Sequence, residues 1–127
     1  MPARPARSQG LQRAIDATGN TYDGLIAAWS SEEAFRIEVI VLLLALPVGW
    51  FIAPSFAWYV AMICSFFVIM AVELLNTAIE KLADHLAPAQ HPAIGRVKDL
   101  GSAAVFCALL LGGVVWLAAL VIRLGLL

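Results

Sequence analysis

Charged residues are scarce in this sequence and are missing altogether from two long stretches. Only 13% of the 127 residues are Asp, Glu, Lys or Arg, whereas 62% are hydrophobic and the mean hydropathy is +0.90. No charged residue occurs from Val39 through Val72 or from Gly101 through Ile122. Soluble domains carry about 25% charged residues, so this composition excludes a soluble globular protein and indicates a membrane protein.

Several functional signatures are also absent. The two cysteines, Cys64 and Cys107, lack metal-type spacing and lie in apolar stretches, so we interpret them as small buried hydrophobic residues. There is no P-loop, no glycine-rich dinucleotide motif and no basic tract, and nucleic acid is not an expected partner. Residues 1–10 lack the apolar core of a signal peptide, and we expect them to form a disordered cytoplasmic tail.

The apolar residues that are present predict three membrane spans. The uncharged stretch from Val39 is too long for a single crossing of a hydrocarbon core of about 30 Å, and two prolines interrupt it. We place the spans at about residues 33–52, 57–86 and 97–124. The fold class is therefore an all-α membrane protein in which residues 32–127 form one three-span domain.

Ahead of the first span, residues 11–31 mix apolar and charged side chains. This pattern is typical of an amphipathic helix that lies on the membrane surface, and we expect a break near Gly19. Basic residues concentrate before the first span and around the loop at 85–98, whereas Arg123 alone lies at the far end. The positive-inside rule then places the N-terminus and this loop in the cytoplasm and the C-terminus outside.

A polar stripe lies at the end of the second predicted span. At 100° per residue, one face about 100° wide carries Glu73, Asn76, Thr77, Glu80 and Asp84. A polar stripe in a membrane helix marks a functional centre by default. Apolar neighbours suit Glu73 to the role of general base, whereas Glu80, about 10 Å nearer the cytoplasm, suits a metal. Asp84 lies close enough to the interface to be a structural charge.

Further acids and bases are predicted at the same membrane depth. They are Glu32, Glu33, His85, His91, Arg96, Lys98 and Asp99. Carboxylates bind hard divalent cations and basic side chains bind phosphate oxygens, so this mixture suits a metal-chelated polyanion. Plainer interpretations exist for each group, such as helix first-turn acids, interfacial charges, loop histidines or, for Asn76, an interhelical hydrogen bond.

Four segments of the chain form a recognisable series, GLIAAW (24–29), EEAFRIE (32–38), ELLNTAIEKLAD (73–84) and GRVKDLGSAAV (95–105). In this order they resemble one family, the small integral-membrane diacylglycerol kinases of bacteria. The resemblance extends from about Arg13 to the C-terminus. It implies a homotrimer of three-span subunits with shared active sites in the bacterial inner membrane. In that family MgATP phosphorylates diacylglycerol to phosphatidic acid by direct phosphoryl transfer.

The resemblance also implies roles for individual positions. Glu73 matches the general base that activates the lipid hydroxyl, and Glu32 with Glu80 matches the ligands of Mg²⁺. Positions implied to bind ATP are Arg13, Asn20, Glu32, Asn76, Glu80, Ala89, Gln90, His91, Lys98 and Asp99. Positions implied to contact the lipid substrate are Arg13, Glu73 and Ser102.

Two alternatives stay open on the sequence alone. The nearer one is an undecaprenol kinase, because relatives of this family share the Glu-Asn-Glu helix and phosphorylate that polyprenol. The other belongs to a different class, a small proton-coupled transporter or membrane assembly subunit that uses Glu73 as a relay carboxylate. Lipid phosphorylation with ATP would distinguish a kinase from a transporter.

Overall fold

The computed structural model describes residues 10–86 and 91–126. Within these ranges the chain forms four helices, α1 (Gly10–Ser31), α2 (Glu33–Ile52), α3 (Phe56–Leu86) and α4 (Pro92–Arg123). Three of them, α2, α3 and α4, are long and apolar enough to cross a membrane. The prediction of an all-α protein with three spans is thereby confirmed. Of the predicted tail at residues 1–10, residues 1–9 lie outside the described residues and Gly10 belongs to α1.

The chain divides into two compact units. The N-terminal unit is Met1–Glu33 and contains α1, whereas the main unit is Ala34–Leu127 and contains nearly all of α2 together with α3 and α4. The acids of the polar stripe all belong to the main unit.

Helix α1 continues without interruption across Gly19, so the predicted break there is wrong. The hydroxyls of Thr18 and Thr21 donate 2.8 Å hydrogen bonds to the carbonyl oxygens of Ala14 and Ala17, four residues earlier. These bonds occupy both threonine side chains within helical geometry. An interior glycine costs about 1 kcal/mol relative to alanine, which is not enough to end a 22-residue helix.

Helix α4 begins at Pro92, five residues before the predicted start of the third span. The Nδ1 atom of His91 accepts a 3.2 Å hydrogen bond from the Ala93 amide and caps the helix. Proline is favoured in the first turn because its missing N–H would have no helical acceptor there. The early start places Lys98 and Asp99 six and seven residues after the first residue of α4 instead of at the opening of the helix.

Helices α3 and α4 form an antiparallel pair. From one end to the other, Asn76 lies beside Gly101, Ile69 beside Gly112, and the Met62 carbonyl accepts a 3.2 Å hydrogen bond from Trp116 Nε1. The buried positions repeat at helical spacing, at Met62, Ser65, Ile69, Asn76 and Ala83 on α3 and at Gly101, Ala108, Gly112 and Ala119 on α4. Small residues allow membrane helices to approach closely.

Helix α2 contacts this pair near its C-terminal end. Gly49 faces the rings of Tyr59 and Trp116, and the Tyr59 hydroxyl donates a 3.2 Å hydrogen bond to the Leu46 carbonyl. The Trp50 and Tyr59 rings meet edge to face with centroids 5.4 Å apart. These contacts fix the end of the main unit at which α2 turns into α3.

Few apolar side chains of the spans are buried within the single chain. Only 17% of the most apolar window of each spanning helix is buried. Cys64 and Cys107 are free thiols on the exposed surface, so the prediction that they are buried is wrong. Uncovered apolar side chains are stable in a membrane because lipid tails are as apolar as the side chains themselves.

The contact between Gly101 and Asn76 predicts an unequal effect of two glycine substitutions on α4. A Cβ atom at Gly101 would overlap the Asn76 Oδ1 atom and lie 3.2 Å from its Cγ, whereas at Gly113 no described atom apart from the adjoining residues and backbone of α4 itself lies within 4 Å of that position. We expect Gly101→Ala to lower the free energy of unfolding by about 1–3 kcal/mol. Gly113→Ala is the matched control and should leave it unchanged or raise it. Thermal unfolding in detergent compares the two variants, and equal midpoints would contradict the close packing.

Candidate active site

The polar stripe of α3 faces the other helices of the main unit. Asn76 is buried with 7% of its surface exposed, and Glu73, Thr77 and Glu80 are half-buried. Between them, the apolar residues Leu75, Ala78, Ile79 and Leu82 are exposed. The helix therefore turns its polar groups inward and its apolar groups outward, as expected for a site within a membrane protein.

Asn76 forms a hydrogen bond with one acid of the stripe. Its Nδ2 atom donates a 3.1 Å hydrogen bond to Glu80 Oε1, one turn nearer the end of α3. Its Oδ1 atom is buried against Gly101 and meets no hydrogen-bond donor among residues 10–86 and 91–126. A buried amide oxygen without a donor costs about 1–3 kcal/mol.

Glu38 of α2 is a member of the site that the sequence did not single out. Its Oε2 atom is buried and has no hydrogen-bond partner in the described part of the chain. Its carboxyl also lies close enough to Glu73 for the two groups to repel each other when both are ionised. A sequence signal existed, because Glu38 is the last charged residue before the uncharged stretch that begins at Val39.

Lys98 of α4 brings a positive charge to the stripe. Its Nζ atom forms a 2.7 Å ion pair with Asp84 Oδ1 and also interacts electrostatically with Glu80. The Asp84 side chain is 66% exposed and that of Lys98 36% exposed. Asp84 therefore contributes a surface ion pair to the α3 and α4 contact, in line with its interpretation as a structural charge.

The weakness of exposed ion pairs predicts a mild effect for Asp84→Asn. Such pairs contribute little because water screens both charges. We expect the thermal midpoint in detergent to change by no more than a few degrees. A decrease as large as that caused by Gly101→Ala would instead give this ion pair a central part in holding α3 against α4.

The other predicted site residues are distributed as follows. Arg13, Asn20 and Glu32 belong to the N-terminal unit, where Glu32 Oε1 accepts a 2.6 Å hydrogen bond from the Ser31 hydroxyl. Asp99 and Ser102 are exposed on α4, and His91 caps that helix. Ala89 and Gln90 lie outside the described residues. Of the predicted set, the structure thus places Glu73, Asn76 and Glu80 on the inward face of α3 and brings Lys98 to Glu80.

The site fits a divalent cation in part. Within the portion of the chain that the structure describes, no three His, Cys, Asp or Glu side chains converge to hold a metal ion. Mg²⁺, however, is usually held by one or two carboxylates together with substrate phosphates. The half-buried Glu80 carboxylate is an oxygen ligand of the required kind.

The arrangement combines three chemical capabilities at one end of the helices. Half-buried Glu73 can accept a proton, Glu80 can hold a divalent cation, and the Lys98 ammonium can bind phosphate oxygens. Phosphoryl transfer needs positioning and charge neutralisation more than covalent chemistry from the protein. These groups supply both requirements.

Comparisons with known proteins bear on this site. A family model described as prokaryotic diacylglycerol kinase matches residues 19–120. A diacylglycerol kinase of Escherichia coli (strain K12) is 39% identical over 107 residues, which cover 84% of this chain and 88% of the relative. The diacylglycerol kinase of Haemophilus influenzae is 37% identical over 110 residues, which cover 87% of this chain and 93% of the relative. The diacylglycerol kinase of Pseudomonas aeruginosa is 38% identical over 117 residues, which cover 91% of this chain and 95% of the relative.

Proposed function

Because this chain belongs to the prokaryotic diacylglycerol kinase family, we propose that it transfers a phosphoryl group from ATP to diacylglycerol and forms phosphatidic acid. The chain is thus a kinase that acts on an alcohol group and a membrane protein with three candidate spans in its described residues. The names of the curated relatives favour diacylglycerol over undecaprenol as the acceptor and favour a kinase over a transporter.

The observation that carries this proposal is that Glu73, Asn76 and Glu80 share the inward face of α3 and that Lys98 lies near Glu80. Glu73 accepts the proton of the lipid hydroxyl, and the hydroxyl oxygen then attacks the γ-phosphorus of ATP. Lys98 binds phosphate oxygens and offsets their negative charge. The nucleotide leaves as ADP after direct transfer, without a phosphorylated enzyme.

Glu80 is the residue of the main unit that would hold Mg²⁺. When bound with ATP, this ion supplies charge neutralisation on the phosphates. The hydrogen bond from Asn76 fixes the Glu80 carboxylate and leaves its other oxygen for the cation. The roles of Glu32 as a second metal ligand, of Arg13, Asn20, His91 and Asp99 toward ATP, and of Ser102 toward the lipid rest on the family resemblance.

We further propose that the protein works as a homotrimer in the bacterial inner membrane with the Glu73 site on the cytoplasmic side. The distribution of basic residues supports this orientation, since Lys81, Arg96 and Lys98 all lie at the end of the helices that carries Glu73. The small buried fraction of each span leaves helix surface available for neighbouring subunits. Amphipathic α1 would then lie at the cytoplasmic interface.

A two-acceptor assay tests the function. Purified full-length protein in mixed micelles receives MgATP together with either diacylglycerol or undecaprenol. We expect phosphatidic acid as the main product. Preferential formation of undecaprenyl phosphate would overturn the choice of acceptor, and no phosphorylation of either lipid would overturn the proposed reaction.

A further inference from the structure

The end of the main unit away from Glu73 contains a cavity of about 290 Å³ that the proposed reaction does not use. It lies where α2 turns into α3 and where α4 ends. Its lining residues are Trp50, Ala53, Ser55, Phe56, Tyr59 and Arg123. Of these, Arg123 lies beyond residues 19–120, the part of the chain that the family model matches.

No acidic residue occurs in the parts of α2, α3 and α4 that form this end of the main unit. The nearest acids along the chain are Asp99 on α4 and Glu73 on α3, and both belong to the opposite end of those helices. Arg123 is the only residue with a charged side chain in residues 100–127. A guanidinium presents a planar fork of donors that matches phosphate oxygens.

The start of α3 adds further donors to the same cavity. Ser55 precedes the helix, and its Oγ atom accepts a 3.4 Å hydrogen bond from the Trp58 amide, so its hydroxyl hydrogen can point toward a ligand. The first amides of a helix lack helical acceptors and carry the positive end of its dipole. An anion in the cavity would therefore meet a hydroxyl and the start of a 31-residue helix beside Arg123.

The remaining walls are aromatic and apolar. Trp50 and Tyr59 pack edge to face, and the Tyr59 hydroxyl is already occupied as a donor to the Leu46 carbonyl. The Phe56 side chain is 71% exposed beside them. Aromatic side chains at the end of membrane spans are typical of the headgroup region of a bilayer. These walls suit the glycerol and upper acyl carbons of a lipid more than a free inorganic anion.

We propose that this cavity binds the phosphate headgroup of an anionic membrane phospholipid in the leaflet opposite the Glu73 site. Arg123 binds the phosphate oxygens, Ser55 and the start of α3 donate to them, and Trp50 and Phe56 contact the lipid body. A zwitterionic headgroup fits less well, because its ammonium group would find no carboxylate side chain in residues 39–72 or 100–127.

Native mass spectrometry of the full-length protein released from detergent tests this site directly. Phosphatidylglycerol and phosphatidylcholine with identical acyl chains are titrated onto the wild type, Arg123→Gln and Arg96→Gln. Arg96 is the matched control, because it is an exposed arginine at the other end of α4. We expect Arg123→Gln to lower phosphatidylglycerol affinity about tenfold, the effect of losing one charged hydrogen bond, and to leave phosphatidylcholine binding unchanged.

The remaining outcomes are equally decisive. Arg123→Lys should retain part of the preference, because it keeps the charge and loses the fork. Equal phosphatidylglycerol binding by the wild type and Arg123→Gln would overturn the proposal, as would an equal loss in Arg96→Gln. Displacement of the lipid by millimolar inorganic phosphate would assign the cavity to a free anion instead. None of these readouts depends on lipid phosphorylation, so the proposal can fail without the kinase assignment failing.

Discussion

Glu73→Gln will lower the turnover of lipid phosphorylation by about 10²- to 10⁴-fold, the range expected when a general base is removed. Glutamine has nearly the same shape as glutamate, but one acceptor oxygen becomes an NH₂ donor and the side chain cannot accept the hydroxyl proton. Glu73 is half-buried, so bulk water does not readily replace it as a base. The loss should appear in kcat with little change in the affinity for ATP.

The structure offers a matched control for this experiment. Glu33 is an exposed acid in the first turn of α2 and has no part in the proposed mechanism. Glu33→Gln makes the same chemical change in a helix and should retain near-normal activity. Helix content and thermal unfolding of both variants should match the wild type. Near-normal turnover of Glu73→Gln in a folded protein would remove Glu73 from the role of base.

Glu80→Gln is expected to lower activity roughly 10²-fold and to raise the concentration of Mg²⁺ needed for half-maximal rate. The substitution keeps an oxygen that can accept the hydrogen bond from Asn76 Nδ2, so the helix contact is preserved. It removes the negative charge that attracts the cation. Activity measured over a range of Mg²⁺ concentrations at fixed ATP separates this effect from that of Glu73→Gln.

The two variants should therefore behave differently at high Mg²⁺. Excess cation should restore part of the activity of Glu80→Gln by mass action, whereas it should not restore Glu73→Gln, which lacks the proton acceptor. Asp84→Asn is the control for a nearby lost carboxylate, since Asp84 forms an exposed ion pair with Lys98. An unchanged Mg²⁺ requirement in Glu80→Gln would contradict a metal role for Glu80.

The helices and the polar stripe could be predicted from the sequence because both depend on local pattern. Uncharged stretches of sufficient length set the three spans, and helical spacing placed Glu73, Asn76 and Glu80 on one face. The predicted ends of the helices were less accurate where a capping residue determines them. Helix α4 starts early because His91 caps it and Pro92 occupies its first turn.

What the sequence could not provide depends on packing between helices. The spacing within α2 does not show that Glu38 lies near Glu73, since that approach requires α2 to lie beside α3. The same holds for the contact of Gly101 with Asn76 and for the exposure of Cys64. At Gly19 the local sequence was misleading instead. Glycine has a low helix propensity, but the neighbouring residues keep this position within α1.

The most direct measurement of the proposed function follows the γ-phosphoryl group of labelled ATP in the presence of diacylglycerol. Purified full-length wild type and Glu73→Gln are assayed side by side in the same mixed micelles. We expect the label to appear in phosphatidic acid with the wild type and to fall by about 10²-fold or more with Glu73→Gln. No label in phosphatidic acid with the wild type, or equal rates for the two proteins, would contradict a lipid kinase that uses Glu73 as its base.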